Sequence, residues 1–154
     1  MTKGGCLCGG IKFEIDQEIG PIQICHCIQC RKAQGSAIVT NTPVQAENFK
    51  IVTGENLLAS FESSPGKQRC FCKNCGSPIF SITVKLVGVV RIRAGTLDGE
   101  IDTKPLAHFF VAHKANWFQI TDDLPQFQEG YVTKGSVASD SPVTINDGLK
   151  ESGV

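Results

Sequence analysis

The sequence has no excess of charge of either sign, because its fifteen Lys and Arg residues balance fifteen Asp and Glu residues. Charged residues make up only 19% of the chain, against roughly 25% in an average globular protein. A neutral chain lacks the electrostatic footprint that attracts nucleic acid or an anionic membrane surface. We therefore expect no nucleic-acid partner.

Long hydrophobic runs are absent as well. The longest apolar stretch, residues 86–90, is far shorter than the roughly 20 residues that a membrane-spanning helix needs. The first residues contain no apolar segment of the kind that a signal peptide carries. We therefore expect no membrane association and a cytoplasmic location, where thiols stay reduced.

The sequence does contain enough apolar side chains to build the core of one domain. Apolar residues make up 41% of the 154 residues, and nine of them are Phe, which excludes disorder of the whole chain. Ile and Val together number 26, whereas Leu numbers only eight. This bias favours strands, in which β-branched side chains pack well.

Short strands separated by turn-forming residues predict a mainly β fold of packed antiparallel sheets. Apolar and polar residues alternate over 11–15, which indicates a half-buried strand. Brief helical turns are expected near 31–34 and 46–49. We expect a domain over 1–133 and a loosely packed tail over 134–154, in which 143–145 could add an edge strand. The other predicted strands are 22–25, 36–42, 57–61, 67–71, 78–83, 89–94 and 107–112.

Cysteine is the residue in excess, with eight in the chain. A disulfide framework usually stabilises small secreted domains that cannot build a core, and this chain can build one. Clustered thiols in a reducing compartment more often bind metal. The eight residues form three groups: Cys6 and Cys8; Cys25, Cys27 and Cys30; and Cys70, Cys72 and Cys75.

Two short-spaced cysteine pairs predict a structural zinc site. Cys72 and Cys75 have the spacing of a zinc knuckle, and Gly76 suits the tight turn that wraps the metal. Cys6 and Cys8 form a second half-site just before the first strand. Together they supply four thiolates, which would contribute folding energy directly. Free buried thiols, the alternative, would have no reason to keep this spacing.

The middle group predicts a different kind of metal site. Cys25, Cys27 and Cys30 offer three thiolates within six residues. Three protein ligands leave a fourth position for a thiol or a water molecule, which is typical of a catalytic zinc.

Five sequence segments occur together in one order. They are Gly5-Cys-Leu-Cys-Gly9, Cys25-His-Cys-Ile-Gln-Cys-Arg-Lys-Ala-Gln-Gly-Ser36, Phe71-Cys-Lys-Asn-Cys-Gly-Ser-Pro78, Gly95-Thr-Leu-Asp98 with Pro105-x-x-His108, and Lys114-x-x-Trp117 before Asp123-Leu-Pro-Gln-Phe127. By these motifs the sequence resembles the glutathione-dependent formaldehyde-activating enzyme family, which includes centromere protein V-like proteins. The resemblance covers residues 4–128 in the family's order.

The resemblance implies an Mss4-like fold of packed β-sheets with two zinc ions per chain. It assigns Cys6, Cys8, Cys72 and Cys75 to the structural zinc, and Cys25, Cys27 and Cys30 to the catalytic zinc. It also implies a carbon-sulfur lyase that joins glutathione and formaldehyde into S-hydroxymethylglutathione, or reverses that step. The expected partners are therefore a small-molecule thiol and its aldehyde adduct.

Several side chains near the middle group are candidates for further roles. His26 lies between two ligands, where it could orient a ligand or move a proton. Arg31, Lys32 and Arg69 could contact glutathione carboxylates or offset thiolate charge, and solvated surface charge is the alternative. Cys70 could be a fourth ligand of the middle site, but a buried thiol is the favoured interpretation.

The remaining ring side chains are assigned structural roles. We expect His108 and His113 to be packed or exposed without a role in the site, and Trp117 to anchor the core or a lid. The alternative function is a zinc-ribbon-type binding module for a protein or nucleic acid, which would close both metal sites with four ligands. The sequence leaves the true substrate and the oligomeric state open.

Overall fold

The computed structural model describes residues 1–130. The predicted tail over 134–154, including the strand over 143–145, lies outside the described residues. Within residues 1–130, no helix is long and apolar enough to cross a membrane.

A seven-stranded sheet forms the larger layer of the fold. Its strands are β3 Ile22–Cys25, β4 Val39–Gln45, β6 Leu58–Ser64, β7 Lys67–Cys72, β8 Pro78–Thr83, β9 Val89–Arg93 and β10 Pro105–Phe109. They lie in the order β10-β3-β4-β9-β8-β7-β6. Neighbouring strands run antiparallel except β3 and β10, which are parallel. The predicted packed β-sheets are confirmed, and the parallel pair is an exception to the predicted antiparallel pairing.

A three-stranded antiparallel sheet forms the second layer. Its strands are β1 Thr2–Gly5, β2 Lys12–Ile15 and β5 Phe49–Thr53, in the order β1-β2-β5. The alternation predicted for 11–15 holds, because Phe13 and Ile15 are buried on one face. Gly4 pairs with Phe13, and a Cβ atom at Gly4 would collide with the Phe13 ring. A glycine is therefore required for the close approach of β1 to β2.

The core lies between the two sheets and is dominated by Ile, Val and Phe. The ring centroids of Phe13 and Phe49 are 5.4 Å apart, and those of Phe49 and Phe80 are 5.1 Å apart. These contacts join the small sheet to the large one and fix their relative position. The buried members of the core are Cys6, Ile11, Phe13, Ile15, Val44, Cys70, Cys72, Ile79, Phe80, Val90 and Ile92.

One short helix, α1 Ile28–Gln34, connects β3 to β4. Cys27 caps its N-terminus, since its Sγ atom accepts a hydrogen bond from the Cys30 backbone N–H at 3.2 Å. Gly35 ends the helix in the left-handed conformation at φ 66°, which glycine adopts without strain. Single 3₁₀ turns occupy Ala46–Asn48, Glu55–Leu57, Ala94–Thr96 and Val111–His113.

Candidate metal centre

The first cysteine cluster joins the β1–β2 loop to the β7–β8 turn. The sulfur atoms of Cys6, Cys8, Cys72 and Cys75 all lie within 4.8 Å of one another. The β7–β8 turn closes through Gly76, which has φ 76° and donates its N–H to the Cys72 carbonyl at 2.8 Å. Residues far apart in the sequence thus supply one compact set of four sulfur atoms.

Hydrogen bonds around the first cluster favour thiolates. The Asn74 side-chain amide donates to Cys8 Sγ at 3.3 Å, and this contact lowers the pKa of Cys8 from its ordinary value. The hydrogen bond with Ser77 lowers the pKa of Cys75 to about 5. The backbone N–H of Ile11 donates to Cys6 Sγ at 3.2 Å. The surroundings of Cys8 and Cys75 therefore stabilise negative charge on sulfur. The backbone N–H of Cys75 also favours the Cys72 thiolate, but burial and the side-chain hydrogen bonds with Cys75 and Cys6 raise the pKa of Cys72 overall.

The second cluster sits where β3 passes into α1. Cys25 ends β3, Cys27 caps α1 and Cys30 lies in the first turn of that helix. Their sulfur atoms also lie within 4.8 Å of one another. All three side chains are buried. The end of β3 and the N-terminal cap of α1 therefore bring these three closely spaced cysteines together as a three-sulfur cluster.

The three thiols of the second cluster differ in their pKa values. The thiols of Cys25 and Cys27 donate hydrogen bonds to the sulfur of Cys30, and Arg69 adds a positive charge, so the pKa of Cys30 is far below its ordinary value. The pKa of Cys25 is correspondingly raised by its hydrogen bonds to Cys27 and Cys30 and by burial. Cys30 is therefore the sulfur of this cluster on which negative charge is most favoured.

Both clusters fit zinc by the chemistry of their donor atoms. Thiolates are preferred zinc ligands, and tetrahedral zinc takes up to four of them. The first cluster contributes four Cys ligand atoms and the second contributes three. Within residues 1–130, no further Cys, His, Asp or Glu atom completes the second group at that separation.

His26 does not join the three-sulfur group but begins a buried hydrogen-bond chain beneath it. Its Nε2 atom lies 2.8 Å from His108 Nδ1, and His108 Nε2 lies 3.1 Å from both carboxylate oxygens of Asp122. The expectation that His108 has only a packing role is therefore incomplete. His108 connects the loop that carries Cys25 and Cys27 to Asp122, which lies near the surface.

The hydrogen bonds of this chain assign the tautomers. The Asp122 carboxylate accepts a hydrogen bond from the Leu124 backbone N–H, which is the main reason that its pKa is lowered. His108 Nε2–H then donates to Asp122, so His108 Nδ1 accepts from His26 Nε2–H. Burial lowers the pKa of His26 to about 4, which keeps its ring neutral and consistent with this arrangement.

Cations cover the face of the large sheet that carries Cys25. Cross-strand partners point to one face, and the register places Arg69, Arg91 and Arg93 on that face. From the sequence we predicted a role for Arg69 but none for Arg93. The signal was available, because two arginines at alternate positions of the otherwise apolar strand Val89–Arg93 must share one face.

Cys70 lies in the apolar core between the sheets. Burial raises its pKa to about 11, so the group is a neutral thiol. It belongs to neither of the two cysteine clusters. The structure thus places Cys70 away from the position of a fourth ligand.

A surface depression of about 260 Å³ lies beside α1 and is lined by Arg31, Lys32 and Trp117 together with Ile28, Gly35 and Ser36. A second depression of about 500 Å³ is also lined by Trp117. Trp117 is 72% exposed, so its expected role as a core anchor is wrong. The ring instead contributes apolar surface to both depressions.

Two packed β-sheets that carry a four-cysteine and a three-cysteine cluster define a class of small β proteins with two candidate zinc sites. Within that class, the chain belongs to the glutathione-dependent formaldehyde-activating enzyme family, whose model matches residues 1–113. The family predicted from the cysteine motifs is therefore confirmed.

Individual relatives agree with this assignment. The chain is 33% identical over 137 residues to an uncharacterized lyase of Schizosaccharomyces pombe, a match that covers 78% of this chain and 92% of that protein. A Rhodobacter sphaeroides protein of known crystal structure is 19% identical, with a TM-score of 0.56 over 66% of this chain and 97% of that one. The similarity to this crystal structure shows the fold alone.

Proposed function

We propose that the protein is a zinc-dependent carbon-sulfur lyase that acts on glutathione adducts of formaldehyde or a related aldehyde, in the manner of an S-hydroxymethylglutathione synthase. The family description names glutathione and formaldehyde, and a relative is named as a lyase. The observation that carries the proposal is the difference between the clusters: one offers four sulfur ligands and the other three.

We assign one zinc ion to each cluster. Cys6, Cys8, Cys72 and Cys75 would hold a structural ion. Cys25, Cys27 and Cys30 would hold the catalytic ion, whose chemistry is to lower the pKa of a bound thiol and to stabilise the thiolate. The eight cysteines carry no disulfide within residues 1–130, which suits the cytoplasmic location that we propose.

The proposed reaction is the reversible addition of a thiol to a carbonyl group. The sulfur forms a bond to the carbonyl carbon, the carbon-oxygen double bond becomes a single bond, and the proton released by the thiol ends on the oxygen. The reverse step breaks the carbon-sulfur bond and returns the proton to sulfur.

Residues around the second cluster have roles that follow from their contacts. The hydrogen bonds from His26 to His108 and on to Asp122 hold the loop that carries Cys25 and Cys27. Arg31 and Lys32 line the depression beside Trp117, where their charges can pair with glutathione carboxylates while the ring packs against its aliphatic parts. The chain itself thus supplies orientation, and the loop is kept rigid.

The proposal is tested by the exchange of ¹³C-formaldehyde between its hydrate and its glutathione adduct, measured by NMR exchange spectroscopy. Thiols add to formaldehyde unaided, so the rate without protein is subtracted. The zinc-loaded protein should accelerate the exchange, and the variant Cys27→Ser should not. Cys70→Ala is the matched control, because it removes a buried thiol outside both clusters. Equal acceleration by the wild type and Cys27→Ser would refute the proposal.

Metal counting separates this enzyme from a zinc-ribbon binding module. We expect two zinc ions per chain, one of which is removed by mild chelation and responds to added glutathione. One tightly held zinc without any thiol effect would favour the binding module instead.

A further inference from the structure

Two buried arginines beside the second cluster have no carboxylate partner in the described part of the chain. Arg69 is 7% exposed and Arg93 is 4% exposed. Within residues 1–130, the carboxylates that contact a basic or imidazole side chain are Glu14, which pairs with Lys3, and Asp122, which accepts a hydrogen bond from His108. A buried guanidinium without a counter-charge is strongly destabilising, so a different anion must face these two residues.

The sulfur atoms of the second cluster are that anion. Both terminal nitrogens of Arg69 donate to Cys30 Sγ, at 3.9 and 3.8 Å. Arg93 lies on the sheet face that carries Cys25 and is attracted by the negative charge of Cys30. Its side chain also donates a hydrogen bond to the neutral Asn41 side chain. The charge of the arginines is therefore directed at the metal-ligating sulfurs.

Charge counting shows which state of the cluster the arginines match. Three thiolates and one divalent zinc ion carry a single negative charge, whereas a thiolate as the fourth ligand makes the total two negative charges. A neutral fourth ligand leaves the total at one. The two guanidiniums carry two positive charges, and Arg91 and the partly buried Lys67 add positive charge on the same face. These cations outweigh a centre with a single negative charge, so an anionic fourth ligand is favoured over a neutral one.

We propose that Arg69 and Arg93 make the Cys25–Cys27–Cys30 centre selective for an anionic thiolate over a neutral molecule as its fourth ligand. The inference rests on the proposed function in taking a thiol as that ligand. It concerns the charge of the sulfur atom and is separate from the pairing of Arg31 and Lys32 with glutathione carboxylates.

Cobalt substitution tests this selectivity without measuring turnover. The Co²⁺-loaded protein is titrated with 2-mercaptoethanol, which has no carboxylate, and separately with imidazole, which is neutral, and binding is followed by visible absorption. Arg69→Gln should weaken the binding of the thiolate by about tenfold, the size expected for losing a unit charge a few ångströms away. Imidazole binding should change by less than about threefold.

Matched variants separate charge from packing. Arg69→Lys keeps the positive charge and should restore most of the preference for thiolate, and Arg93→Gln should repeat the effect of Arg69→Gln. Lys85→Gln removes an exposed cation and should change neither affinity. The four-cysteine cluster contributes a constant absorption to every titration.

The outcomes are distinguishable. Equal weakening of both ligands in Arg69→Gln, or unchanged thiolate affinity, would overturn the proposed selectivity while leaving the proposed function standing. If the wild-type protein fails to bind 2-mercaptoethanol at all, the proposed function fails and the inference falls with it.

Discussion

Replacing His108 with Leu should destabilise the fold by about 2–3 kcal/mol, because it interrupts the buried chain between His26 and Asp122. His108 is 3% exposed and uses both ring nitrogens. Its loss leaves His26 Nε2–H without a partner inside the protein, which costs roughly 1–3 kcal/mol. Asp122 is 47% exposed, so the loss of its hydrogen bond with His108 adds only about 0–1 kcal/mol.

The assay is urea unfolding at neutral pH with a fixed excess of zinc, since metal binding shifts the apparent stability. With a urea dependence of roughly 1.5–3 kcal/mol per molar, the midpoint should fall by about 1–2 M. His113 provides the matched control, because it is an exposed histidine nearby. The variant His113→Leu should change the stability by no more than about 0.5 kcal/mol.

A double variant isolates the hydrogen bond from the change in packing. Replacing both partners of a buried hydrogen bond by apolar side chains leaves no orphaned donor. The pair His26→Leu and His108→Leu should therefore be at least about 1 kcal/mol more stable than the sum of the single effects predicts. Strictly additive effects, or a His108→Leu protein as stable as His113→Leu, would refute the reasoning.

Further predictions follow from the clusters and the loops. Cys72→Ser should lower the zinc content by one ion per chain and reduce the free energy of unfolding by about 3 kcal/mol or more. Cys70→Ala should retain both ions. Metal analysis measures the zinc content of both variants, and urea unfolding measures their stability. The pKa of His26 is lowered from its ordinary 6.5 to about 4 in the folded protein. Between these pH values the unfolded chain binds a proton that the folded chain excludes. The free energy of unfolding should therefore fall as the pH decreases from about 6.5 to 4. His26→Asn should lose less stability over that range in matched unfolding curves. Gly54→Ala should lower the free energy of unfolding by about 2 kcal/mol or more, because the new Cβ would collide with a backbone carbonyl of the β1–β2 loop. Gly88 has the same φ of 77° but open space around it, so Gly88→Ala should cost only about 1 kcal/mol. Thermal unfolding distinguishes the two variants.

Strands with strong local signals were predictable from the sequence. The predicted strands 22–25 and 78–83 have the bounds that the structure shows. The last strand starts earlier than predicted and ends at Phe109, since Phe110 adopts a left-handed conformation at φ 59°. No property of a phenylalanine predicts that conformation, because a bulky side chain rarely adopts it.

Strands that depend on their neighbours were missed. Thr2–Gly5 contains two glycines and has little intrinsic preference for a strand, and its pairing with Lys12–Ile15 determines its conformation. Phe49–Thr53 does alternate, with Phe49 and Ile51 facing the core, and this signal could have been used. It was obscured by the helical turn expected at 46–49, which the structure confines to Ala46–Asn48.

The site was predictable to the extent that its chemistry is local. The spacing of the cysteines indicated both groups that the fold brings together. The chain from His26 to Asp122 and the approach of Arg93 depend on strands that meet only in the folded sheet. Spacing along the sequence contains no information on such contacts, because they are set by strand order and register.

The first cluster has a consequence for the way the protein folds. Cys8 and Cys72 are 64 residues apart in the sequence, so this cluster forms only after a long loop has closed, at an entropic cost that grows with its length. Cys25, Cys27 and Cys30 need no such closure and can capture a metal ion while the chain is still unfolded. We therefore expect the centre proposed to carry out the chemistry to bind metal before the stabilising centre during folding.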